Sequence, residues 1–102
     1  MIHVVARITA HRGQGPALLA AFKELLPAVR AEAGCIAYTP TLDAVTDIDR
    51  QEPPNPDAVT IVERWESLDH LKAHLTAGHM LEFREKAGDL IEGADLRILE
   101  EA

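Results

Sequence analysis

The chain has a single cysteine, Cys35, so an internal disulfide is excluded. A reducing compartment is the expectation that follows. Basic residues are scarce: ten Lys and Arg face seventeen Asp and Glu, for a formal charge of -7. Such a chain offers no basic face to displace counterions from nucleic acid or to meet anionic headgroups, and neither partner is expected. No apolar run approaches the roughly eighteen residues of a membrane span. The opening MIHVVARITAH lacks a basic n-region, and its apolar stretch is too short for a signal h-region. A cytoplasmic protein is therefore expected. Aromatics are few: one Trp, one Tyr and two Phe.

What remains is the composition of a folded domain, with 47% hydrophobic and 26% charged residues among 102. That length predicts one domain over 1–102. IHVVARIT, from Ile2 to Thr9, is β-branched and predicts a strand, with Ile2, Val4, Ala6 and Ile8 on one face. Leu18, Phe22, Leu25, Leu26 and Val29 recur at helical spacing and predict a helix over Ala17 to Ala33, with Pro16 at its start and Pro27 inside it. Gly34 is expected to end it in the left-handed conformation. CIAYTPTLD predicts a second strand from Cys35 to Asp43, placed at a sheet edge by Pro40. The polar, proline-rich segment 44–56 is a loop, long enough to cover something. A third strand spans Ala58 to Glu66, with Val59, Ile61, Glu63 and Trp65 on one face and Thr60, Val62 and Arg64 on the other. Ser67 is a good N-cap for a short helix whose buried stripe is Leu68, Leu71 and Leu75. Gly78 breaks it, and a second piece from His79 to Leu90 turns Met80, Phe83, Ala87 and Leu90 inward. The last strand is Ala94 to Glu101.

The order β-α-β-β-α-β predicts an α+β, ferredoxin-like fold: an antiparallel four-stranded sheet with its helices on one face. Helices cover only one face, yet Val5 and Val62 lie on the other. Burying such a face stabilises by ~25 cal/mol per Å². A homodimer joined sheet to sheet, forming a dimeric α+β barrel, is expected.

The stretch ERWESLDHLKAHLTAGHM, Glu63 to Met80, concentrates the residues able to do chemistry. Glu63 is an acid in an apolar strand; it either points inward with a raised pKa or is solvated. Trp65 is a flat wall with an N–H donor, or plain core. His70 and His74 share a helix face at i, i+4 spacing, but no third ligand stands near them in sequence, and no metal is expected. His74 and His79 are five apart, the wrong spacing for one regular helix. The break at Gly78 lets both rings turn toward one mouth, where an imidazole is suited to move a proton. Tyr38 can hold a substrate oxygen or simply pack. Cys35 is expected to be a structural thiol.

These residues resemble a known pattern. Glu-x-Trp-x-Ser, then a His, then a His-Met opening the next helix piece, is filled by Glu63, Trp65, Ser67, His74, His79 and Met80. With the opening MIHVVARI and the helix end PAVRAEAGC, the whole chain resembles the antibiotic biosynthesis monooxygenase family. Tyr38, Pro40, Asp43 and the Arg97-Ile98-Leu99 run bring it nearest the bacterial quinol monooxygenase branch. The resemblance implies oxygen chemistry on an electron-rich aromatic with no cofactor and O₂ as co-substrate. It implies His74 or His79 as proton acceptor, with Glu63 and Trp65 in the catalytic set. Trp65 and Phe83 would wall the ring, Tyr38 or the indole would hold an oxygen, and Met80 and Arg64 would complete the substrate site.

Two other branches of the superfamily are similar. The haem-degrading one needs an axial His where Arg84 stands and an Asn where Arg7 stands, so haem is not expected. The other isomerises a small phosphorylated signal molecule, and Arg7, Arg64 and Arg84 are the cations a phosphate would want. A non-catalytic small-ligand-binding dimer is the third possibility.

Overall fold

Alternating β-branched residues make Ile2–Ala10 the first strand, β1, in a computed structural model that describes residues 1–102. The helix α1 follows over Gly15–Arg30, with Pro16 in its first turn, where the missing N–H costs nothing. Strands β2 (Cys35–Leu42) and β3 (Ala58–Trp65) come next. Two short helices, α2 (Leu68–Leu75) and α3 (Gly78–Ala87), lead through a 3₁₀ turn at Gly88–Leu90 into β4, Ile91–Glu100. The strands form one antiparallel sheet in the order β2-β3-β1-β4. The expected ferredoxin-like arrangement is the observed one.

The core lies between one sheet face and the helices. Val4 and Ala6 of β1, Val59, Ile61 and Trp65 of β3, and Leu18, Phe22, Leu25 and Val29 of α1 are buried together there with Leu71, Met80 and Phe83. The opposite face is not covered by helices, and Val62 stands exposed on it.

Several boundaries differ from expectation, each for a physical reason. The first helix stops at Arg30 rather than Ala33. The residues after it form a turn that closes on Gly34, whose φ is +78°. A Cβ on Gly34 would sit 2.3 Å from the His70 ring, so the position needs glycine for space as well as for backbone. The last strand begins at Ile91, three residues early, because Ala10 pairs with Ile91 across a bulge and pairing overrides the turn-like Gly93. Leu68 is exposed, not buried. It is the first residue of α2, and helical side chains lean toward the N-terminus, where no earlier turn exists to receive it. The helix break falls at Thr76 and Ala77, and Gly78 already opens α3.

The 44–56 loop covers no part of the Glu63–Met80 stretch. It leaves β2 where Leu42 pairs with Val59, whereas Trp65 pairs with Cys35 at the other end of the same ladder. Seven residues of strand separate those ends by ~20 Å. Asp43 holds the loop's start: it accepts two hydrogen bonds from Arg7, at 2.8 and 2.9 Å, and one from the Asn55 backbone at 2.9 Å. That pairing with Arg7 keeps the Asp43 carboxyl well below the usual range, at about 2.

Candidate active site

Four chain segments meet at the Cys35–Trp65 end of the sheet. The turn after α1 brings Glu32, β2 brings Tyr38, β3 brings Glu63 and Trp65, and the break between α2 and α3 brings His74 and His79. The break does what the spacing required. His74 sits in the last turn of α2 and His79 in the first turn of α3. Their rings converge on one oxygen: His74 Nδ1 lies 2.7 Å and His79 Nε2 2.9 Å from Glu32 Oε2. An ionised carboxylate only accepts, so both facing nitrogens carry protons. The second nitrogen of each neutral ring is left with a lone pair.

Exposure separates the two histidines. The His74 side chain is 3% exposed and that of Glu32 13%, whereas His79 is 28% exposed. Burial pushes the His74 pKa down against the opposing pull of Glu32. His74 stacks on the Trp65 indole at 4.7 Å between centroids and meets the Tyr38 ring edge-on at 5.5 Å. Trp65 is wholly buried, and its N–H donates to Glu63 Oε1 at 2.9 Å. Glu63 therefore faces inward and orients neither histidine directly. Burial raises the Tyr38 phenol far above its ordinary value, helped by the Glu63 and Glu32 charges, so it stays a neutral O–H donor. Burial and the same two carboxylates also raise the Cys35 thiol, consistent with a structural role.

A groove of about 300 Å³ between α1 and α3 reaches this cluster at His79. Its floor is Ala21, Leu25 and Phe83; Glu24, Glu82 and Lys86 stand at its rim. Phe83 packs on Phe22 at 4.6 Å, and Met80 is buried in the core alongside.

One expectation fails. Arg64 lies exposed on the open face of the sheet, opposite the Glu63 and Trp65 side chains, and does not line the groove at His79. Strand alternation dictates this. His70 is half-buried: its Nδ1 lies 2.7 Å from Ser67 Oγ, and its ring fills the space beside Gly34. The helical pair His70 and His74 is thus not the pair the fold assembles. Glu32 was not foreseen at all. It lies 42 residues from His74, and its only sequence signal is its place within PAVRAEAGC.

Glu63 provides a pH test. Burial pushes its carboxyl from an ordinary 4.5 up to about 7, with the Trp65 N–H pulling the other way. Between these values the unfolded chain has released the proton that the folded protein still holds. Folding is therefore destabilised progressively as pH rises from 4.5 to 7, by on the order of 3 kcal/mol, and no further above that. His74 acts in the opposite sense, because its lowered pKa costs stability as pH falls through 6.5. Glu63→Gln keeps an acceptor for the indole and removes only the first effect. Urea midpoints should show the variant gaining on wild type from pH 5 to about 7 and holding that gain above it. Parallel curves would mean that Glu63 is ionised throughout.

The comparisons with known proteins match this picture. The family model described as antibiotic biosynthesis monooxygenase matches residues 1–86. The probable quinol monooxygenase YgiN of Escherichia coli K12 is 37% identical over 103 residues, covering 98% of this chain and 97% of its own length. The crystal structure of PA3566 from Pseudomonas aeruginosa superposes with a TM-score of 0.82 at 26% identity, covering 99% of this chain and 93% of that one. SO0527 from Shewanella oneidensis gives 0.80 at 27%, covering 98% and 89%. Sequence, fold and family model agree that this chain belongs to the antibiotic biosynthesis monooxygenase family.

Proposed function

We propose that the protein is a cofactor-independent quinol monooxygenase in which His79 is the proton acceptor. The observation that carries this is the Glu32-bridged histidine pair, of which only His79 opens on the groove. With Nε2–H held by Glu32, Nδ1 of His79 is the lone pair offered to a substrate hydroxyl. A quinol is acidic and easily oxidised, and its anion can pass an electron to O₂ without help. Recombination forms a C–O bond and a ring hydroperoxide. Cleavage of the O–O bond leaves one oxygen on the ring, as a hydroxyquinone, and releases the other as water. The proton held by His79 returns to that leaving hydroxide. Quinol plus O₂ balances hydroxyquinone plus water, and no outside reductant is needed. A groove of about 300 Å³ suits a small aromatic ring. The name of the E. coli relative supports the same substrate class.

The isomerase alternative is less well served. Of the three arginines a phosphate would want, Arg7 is held by Asp43 and Arg64 is across the sheet. Oxygen uptake with chemically reduced one- and two-ring quinols, in the presence of a chelator, tests the reading. Uptake above autoxidation with a hydroxyquinone product is expected. Ligand-dependent stabilisation with no uptake would instead identify a binder.

A homodimer through the open sheet face belongs to the same proposal. Val62 and Leu99 on that face are 45% and 47% exposed. A second copy would need to bury ~800 Å² per partner to hold. Sedimentation should give a dimer for wild type and a monomer for Val62→Lys; a monomeric wild type would refute it.

A further inference from the structure

The same three residues have the composition of a metal site. Glu32 Oε2, His74 Nδ1 and His79 Nε2 all lie within 4.8 Å of one another. Two imidazoles and one carboxylate form a three-ligand set that leaves a fourth position open, the pattern of zinc sites that keep a water or a ligand. Two nitrogen donors favour zinc, cobalt or nickel over magnesium or calcium. Bonds of ~2.0–2.1 Å in tetrahedral geometry set donor atoms ~3.3 Å apart. The contacts of 2.7 and 2.9 Å would therefore open by ~0.5 Å, and the two ring nitrogens, up to 4.8 Å apart, would close by as much as ~1.5 Å. Glu32 can supply the opening, because it stands in the turn after α1 and not inside the helix, and rotation of the partly exposed His79 ring can supply the closing. His79, partly exposed on the groove, gives the ion a way in.

We propose that Glu32, His74 and His79 bind one divalent transition-metal ion per chain, and that the ion switches off His79 as a proton acceptor. The proton bookkeeping explains the second half. Binding needs the lone pairs of His74 Nδ1 and His79 Nε2. The proton on each facing nitrogen moves to the other nitrogen of the same ring, and none is lost from a neutral imidazole. His79 Nδ1 then carries N–H and can no longer take a proton from a quinol. That inhibition rests on the quinol oxidation reading; the binding does not.

The test is calorimetric titration of the chelator-treated, dialysed full chain with zinc sulfate. Titration with cobalt(II) chloride, followed by visible absorption, accompanies it. One ion per chain is expected, with the intense cobalt bands of four-coordinate geometry. Affinity should fall at least tenfold in Glu32→Gln and in His79→Gln and be unchanged in His11→Ala, an exposed control. Thermal melts check that each variant is folded; His79→Gln, on the partly exposed side, serves if Glu32→Gln is not. No binding of either ion, or equal affinity in all variants, overturns the site. Zinc bound at the site with quinol-dependent oxygen uptake undiminished overturns the switch. If no quinol is oxidised under any condition, the oxidation reading and the switch both fail, and the titration alone decides whether the site exists.

Discussion

His79→Ala should lower kcat for quinol oxidation by about 10²- to 10⁴-fold, the usual contribution of a positioned proton acceptor. KM should change little, because the groove floor of Ala21, Leu25 and Phe83 is untouched. The ring is partly exposed and its hydrogen-bond partner is Glu32, so the variant should fold. A structural role would predict the opposite pattern: a lower melting temperature and near-normal turnover in the folded fraction. Glu32→Gln separates positioning from proton transfer. The amide oxygen can still accept a ring N–H, but the protonated imidazole loses its anionic neighbour. kcat should fall with KM little changed, and by less than in His79→Ala. Equal kcat in wild type and Glu32→Gln would show that Glu32 does not act through His79.

Trp65→Ala should destabilise the fold by ~3–5 kcal/mol, the range for removing a large buried aromatic. Trp65 is wholly buried, lies against His74 and supplies the hydrogen bond to Glu63. Truncation leaves a cavity and an inward carboxyl without its donor, a further cost of about 1–3 kcal/mol. A domain of this size is stable by only ~5–15 kcal/mol, so the variant should be partly unfolded at growth temperature. Trp65→Phe keeps most of the packing and loses the donor, and should fall near the second figure alone. Urea unfolding followed by circular dichroism measures both, since the variants lack the chain's only tryptophan. Equal midpoints for wild type and Trp65→Ala would contradict a packing role and leave substrate contact as its purpose.

Much of this is legible in the sequence. The element order came from periodicity, and the interrupted helix came from Gly78 and the spacing of His74 and His79. The inward face of β3 came from alternation, which also held the correction for Arg64: Thr60, Val62 and Arg64 were already grouped on the opposite face. Treating an arginine as a site residue because of its charge ignored that grouping. Glu32 was hidden for a different reason. Its partners lie more than forty residues away and meet it only after β2 and β3 pair. No local pattern records such a meeting. Leu68 was misplaced because a stripe at i, i+3 and i+7 is only as good as the turn beneath its first member.

The position of the 44–56 loop has an evolutionary side. A segment tied down at Asp43, at the end of the β2–β3 ladder away from Trp65, can lengthen, shorten or drift in sequence without reaching the histidine cluster. Doubling such a loop costs only ~0.6 kcal/mol in closure entropy. Members of the family are free to differ there, and a reporter peptide inserted between Ala44 and Pro54 should leave the melting temperature and any quinol turnover intact.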